Sequence, residues 1–165
     1  MKTRSVLLCS LALTSISTGP VFAGDATLPA LVRDANQRFE DVDVALAEGY
    51  TAQPCVSGPN GGAMGVHYVH EGHLADDELD VSRPEALMYE PQGNGETELV
   101  GVEFITFSGP AVLEGHLVHH VGAPNRYGLD PFYELHVWAW RENPHGTFAD
   151  FNPSVSCKAH ESGRD

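Results

Sequence analysis

The sequence is poor in positive charge. Lysine and arginine together number 9, against 23 aspartates and glutamates, which gives a formal net charge of −14 at pH 7. A surface of that sign repels nucleic acid and anionic membranes, and it tolerates cations and basic partners. Apolar runs are short. The longest near the start, "SVLLCSLALTSIS", is below the roughly 20 residues that a spanning helix needs. Several catalytic signatures are missing: a redox Cys-x-x-Cys, a haem Cys-x-x-Cys-His, a serine nucleophile elbow and a His-Glu-x-x-His zinc motif. "GPNGGAMG", residues 58–65, lacks the Gly-Lys-Ser/Thr ending of a phosphate loop, so its glycines are expected to turn the backbone into the following strand. The acids Asp76, Asp77, Glu78 and Asp80 lack the glycine and terminal glutamate of a calcium loop.

Cysteine is scarce, with three in the chain. Cys9 lies in the apolar run that follows Lys2 and Arg4 and ends at "TGPVFA". This is the pattern of a secretory signal peptide cleaved after Ala23, with Val21 and Ala23 as the small residues of the site. Residues 1–23 are therefore expected to be a leader and residues 24–165 one domain, large enough for a core of its own. The leader contains Lys2 and Arg4 and no acid, so its removal takes the formal charge from −14 to −16. The expected location is periplasmic or secreted, with no stable membrane insertion after cleavage. Cys55 and Cys157 remain, and two cysteines in an exported chain are expected to pair.

"TLPALVRDANQRFEDVDVALAEGYTAQP" repeats apolar residues at Leu31, Ala35, Phe39, Val42 and Leu46, a helical spacing ended by Gly49 and Pro54. "MGVHYVH" reads as a strand. "ALMYE" and "ELVGVEFITF" flank "PQGNGET" as a hairpin, and "FYELHVWAW" is the last clear strand. "HLADDELDVSRPE" and "AVLEGHLVHHVGAPNRYGLDP" read as loops. One helix followed by strands without interleaved helices predicts an α+β fold: an N-terminal amphipathic helix packed on an antiparallel sheet, either open or curled into a small barrel.

Three strands each carry an ionisable residue among apolar neighbours. In a period-two reading His136 shares a face with Trp138 and Trp140, while Leu135, Val137 and Ala139 take the other. Glu103 shares a face with Gly101 and Ile105, opposite Val100, Val102 and Phe104. His67 lies between Gly65 and Val69 on its face. A lone buried carboxylate costs several kcal/mol, so Glu103 must be protonated, paired or bound to a cation. Two imidazoles and a carboxylate are a common ligand set for zinc, iron, manganese or copper. The alternative is a hydrogen-bonded His–Glu–His cluster that fixes strand register and binds nothing. Tyr68, Trp138 and Trp140 are candidate walls of a pocket beside the site, with core packing as the alternative. His116, His119 and His120, in "EGHLVHH", read as a solvated loop or a metal-catching tract.

The segments "ALAEGY", "PCVSGPNGGAMGVHYV", "RPEALMYEP", "LVGVEF" and "LHVWAWRENPHGTFADFNPSVSC" resemble a group of exported bacterial proteins of uncharacterised activity. The likeness spans nearly all of residues 24–165 and implies that these segments form one domain. It assigns no role to any residue. Three functions remain open: an exported metal-binding protein, a metal-dependent enzyme on the same site, and a metal-free small-ligand-binding or interaction module with a structural His–Glu–His cluster.

Overall fold

The apolar positions that open the chain build helix, although in three pieces. The computed structural model describes residues 26–58 and 60–162, so the expected leader lies outside the described residues. Helix α1 spans Leu28–Asn36 with Pro29 in its first turn, a 3-10 turn covers Gln37–Glu40, and α2 spans Val42–Ala47. The sequence predicts one helix here. Asp41 interrupts it, because its backbone is extended and its side chain accepts from the Asp43 N–H as a helix N-cap. The tighter 3-10 winding also rotates the buried face. The buried positions are Leu28, Val32, Asn36, Phe39 and Ala45, and Leu46 is 50% exposed.

Strands β1 (Thr51–Ser57), β2 (Ala63–Val69), β3 (Ala86–Pro91), β4 (Thr97–Thr106), β7 (His119–Val121) and β8 (Phe132–Val137) form one antiparallel sheet in the order β1-β2-β3-β4-β8-β7. The short strands β5 (Val112–Leu113) and β6 (His116–Leu117) pair separately. The sheet is open, so it does not close into a barrel. Its edges fit that role: β1 carries Pro54, which has no N–H to donate, at a break in its pairing with β2, and β7 is three residues long. Two stretches read as loops contain structure. Glu71–Asp76 forms helix α3, capped by His70, and residues 112–121 form β5, β6 and β7.

One face of the sheet packs on the N-terminal helices. Leu87, Tyr89, Leu99, Val102, Phe104, Leu135 and Val137 meet Val32, Phe39, Ala45 and Tyr50 there. Each such side chain contributes about 1.5–3 kcal/mol by leaving water. A register irregularity opposite Met88 and Tyr89 shifts the alternation in β4, so Leu99 shares this core with Val102, and Val100 does not. Val100 joins a smaller cluster with Ala63, Met88, Trp138, Val155 and Cys157. Cys55 and Cys157 form a disulfide beside it, with their Cα atoms 5.8 Å apart. The bond fixes the stretch before the last helix, α4 (Lys158–Ser162), to edge strand β1. No helix among the described residues is long and apolar enough to cross a membrane.

Candidate metal centre

The glycines at the start of β2 set where His67 falls. Gly62 and Gly65 have φ of 71° and 95°, and a Cβ on either would stand 2.5 Å from a carbonyl oxygen, of Asn152 and Tyr89 respectively. Only glycine lets the backbone pass this close in that conformation. The buried Asn152 completes the clamp: its backbone exchanges hydrogen bonds with Ala63, and its side chain donates to the Glu142 carbonyl. From that anchor β2 carries His67 onto the sheet face turned away from the helices. β4 and β8 bring Glu103 and His136 directly opposite each other, and β3 places the small Ala86 on the other side of Glu103. β2 sets His67 opposite Met88 of β3, and its ring reaches Glu103 from there.

All three residues are buried. Glu103 is 4% exposed and His136 1%, and Val102 and Val137 beside them are fully covered. Nε2 of His67 lies 3.3 Å from one Glu103 oxygen, and Nε2 of His136 lies 3.8 Å from the other. One ligand atom from each residue falls within 4.8 Å of the other two. Donors about 2.1 Å from a shared zinc ion stand about 3.4 Å apart in a tetrahedron, so the cluster lies within a small adjustment of that geometry. The nitrogens are close to the carboxylate, yet neither Nε2 of His67 nor either ring nitrogen of His136 makes a hydrogen bond. Buried polar atoms are normally satisfied. Unsatisfied imidazole nitrogens converging on one carboxylate are what a cation would complete, so these residues fit a divalent metal.

The electrostatics agree. Burial, with the neighbouring His136 and Arg126 charges, depresses His67 to about 3, and burial, with His119 and Arg126, depresses His136 to about 3. Both imidazoles are therefore neutral and able to ligate at ordinary pH. Burial and then the charge of Glu134 raise Glu103 well above the usual carboxylate range. Without a cation Glu103 holds a proton, and a divalent ion would displace it.

The sequence pattern missed two acids at this centre. Glu134 and His136 are two residues apart on β8 and share a face, so the period-two reading that found His136 contained Glu134 as well. Burial raises the Glu134 carboxyl too. Asp150 comes from the segment between β8 and α4, and its carboxylate lies 3.8 Å from Nδ1 of His136. Glu134, His136 and Asp150 form a second group whose ligand atoms fall within 4.8 Å of one another. No local signal places Asp150, because the turn of residues 143–152 brings it there.

A cavity of about 670 Å³ opens beside the centre, with His67 and Glu103 in its wall. Val56, Val69, Leu74, Ile105, Leu129 and Phe132 supply most of its apolar lining, and Arg126 and Glu71 are charged members. The aromatics expected to wall a pocket stand elsewhere. Tyr68 packs edge-on to Tyr89 against the helix-side core. Trp138 lies in the disulfide-side cluster and donates to the Ala149 carbonyl. β8 ends at Val137, so Trp140 leaves the face of His136 and donates to Glu40 under the helices. His116, His119 and His120 lie on β6 and β7, with the His116 ring against Phe148 and the His120 ring against Tyr133. His119 stands opposite Glu134 in the β7–β8 pairing and its charge acts on His136, but none of the three belongs to either group of converging ligand atoms. His70 and His73 stack beside Tyr50, where His70 faces the Glu48 carbonyl and His73 the Pro84 carbonyl.

Comparison with protein-family models, with curated proteins and with solved structures finds no match to this chain. The centre is therefore read from its own chemistry.

Proposed function

We propose that this is an exported, periplasmic or secreted, divalent-metal protein in which His67, Glu103 and His136 hold one zinc, iron, manganese or copper ion. The observation that supports this most is the set of unsatisfied, buried imidazole nitrogens converging on the Glu103 carboxylate. Two neutral imidazoles and one carboxylate leave a divalent ion with net positive charge and at least one open position. The adjoining cavity gives a small organic molecule access to that position. The disulfide supports an oxidising location. Metal analysis of the exported chain purified without a histidine tag tests the reading. About one divalent ion per chain is expected, and His136→Ala is expected to lose it while its circular dichroism stays unchanged. Full metal content in that variant would remove His136 from the site. If zinc, iron, manganese and copper all fail to bind when offered in excess, the cluster is a structural one beside a metal-free ligand pocket.

A further inference from the structure

The cavity has a single cationic side chain, and among the described residues that side chain makes no direct ion pair, although its charge reaches Glu134. Among the described residues Arg38 pairs with Glu48, Arg83 with Asp76, and Arg141 with Glu90 and Glu98, while Arg33 donates to the Ala139 carbonyl. Arg126 makes no such contact, and its guanidinium lies over the Phe151 ring, 5.0 Å from the centroid. In a chain with 23 acids, an arginine left unpaired at a cavity wall is a conspicuous exception. Its position is also built. Asn125 next to it donates to the Gly122 and Leu129 carbonyls and accepts from the Tyr127 and Leu129 N–H groups, which folds the stretch before β8 into a fixed turn. That turn presents Arg126, Tyr127 and Leu129 to the cavity together.

We infer that the cavity takes an amphipathic monocarboxylate, with its carboxylate on the Arg126 guanidinium and its apolar body against Leu74, Ile105, Leu129 and Phe132. A guanidinium presents a planar fork that matches a carboxylate. Most of the lining surface is apolar, with Thr51, Gln53 and Ser57 as neutral polar members, and about 670 Å³ suits a small organic body. Charge sets the limit at one anionic group, since Glu71 also lines the cavity and opposes a second. His67 and Glu103 stand in the same wall, so a ligand held by Arg126 lies beside the metal centre. This deepens the proposed function and rests on it for the metal.

Isothermal titration of the zinc-treated chain with 4-phenylbutyrate, and with 4-phenylbutanol as the uncharged match, tests the inference. The acid is expected to bind one per chain. Arg126→Met should weaken the acid tenfold or more and leave the alcohol unchanged. Ile105→Trp, which fills the cavity, should abolish both, with circular dichroism checking its fold. No binding of the acid to the wild-type chain, or equal binding to Arg126→Met, overturns the inference, as does undiminished binding of the acid to a folded Ile105→Trp chain. The same titrations on chelator-treated protein separate the two readings. Arg126-dependent binding in a chain that takes up no zinc keeps the monocarboxylate site and removes the metal. A chain that holds zinc through His136 and does not bind the acid keeps the metal and removes the monocarboxylate site.

Discussion

Replacing Glu103 with glutamine changes one atom of a carboxylate and removes its proton chemistry, so it isolates the pH dependence of metal uptake. His67 and His136 are depressed to about 3 by burial first, so neither carries a proton to release between pH 5 and 6. Glu103 is raised well above the ordinary carboxylate range by burial and by Glu134, and Glu134 is raised as well. The pair holds a proton in that interval, and a metal must displace it. Affinity should therefore fall about tenfold, or about 1.4 kcal/mol, for each pH unit of acidification. Titration calorimetry with zinc, in buffers of different ionisation enthalpy, counts the protons directly. About one proton released per ion is expected for the wild type. Glu103→Gln should bind more weakly at pH 7, with proton release well below one. Release of two protons that sets in below pH 6.5 would mean that the imidazoles titrate normally, and the burial argument for them would fail. Release unaffected by Glu103→Gln would take Glu103 out of the exchange.

Two further outcomes concern stability. The Cys55→Ser, Cys157→Ser double variant should lose about 4.7 kcal/mol, since the bond closes a loop of about 100 residues, and should melt about 15 °C lower in a calorimetric scan. An unchanged melting temperature would show that the unfolded chain gains no freedom from losing the bond. Glu85 is fully buried and raised to about 8, chiefly by desolvation. The folded chain keeps its proton when the unfolded chain has lost it, so the stability this carboxyl contributes is fully present below pH 4.5 and declines as pH rises toward 8. The loss from this group is about 3 kcal/mol at pH 7. Glu85→Gln keeps an oxygen for the Ile105 N–H, which now bonds to the carboxyl, and should flatten that decline in urea titrations at pH 5 and 8. A decline as steep in the variant would place its origin in another group.

The α+β class, the hairpin and the burial of the ionisable strand residues were legible because alternation and turn residues are local signals. Where the structure departs from the sequence reading, a tertiary contact outweighs the local pattern. Pro54 reads as the stop after a helix, yet it sits in β1, because an edge strand needs no N–H there and the disulfide at Cys55 holds the strand in place. Leu46 has the right spacing for a buried helix face and is half exposed, because the cap at Asp41 restarts the winding. Trp140 keeps the parity of His136 along the chain and still leaves its face, because β8 stops at Val137 and parity has no meaning beyond a strand's end.

The site shows the same division more sharply. His67, Glu103 and His136 could be named from sequence because each violates a local apolar pattern, and a violation is visible without knowing the neighbours. Their convergence depends on sheet order. A carboxylate on β4 lies opposite an imidazole on β8, and a second imidazole reaches it from β2 across β3. Arg126 violates nothing, since an arginine among Asn, Tyr and Gly in a turn is ordinary. What singles it out is that the other described arginines are engaged with a carboxylate or a carbonyl and it alone faces an apolar cavity, and that contrast exists only once the chain is folded. Buried acids and an unpaired cation then make opposite demands on the same space. The acids call for a cation, the guanidinium for an anion, and a metal with a ligand carboxylate beside it in the same cavity meets both.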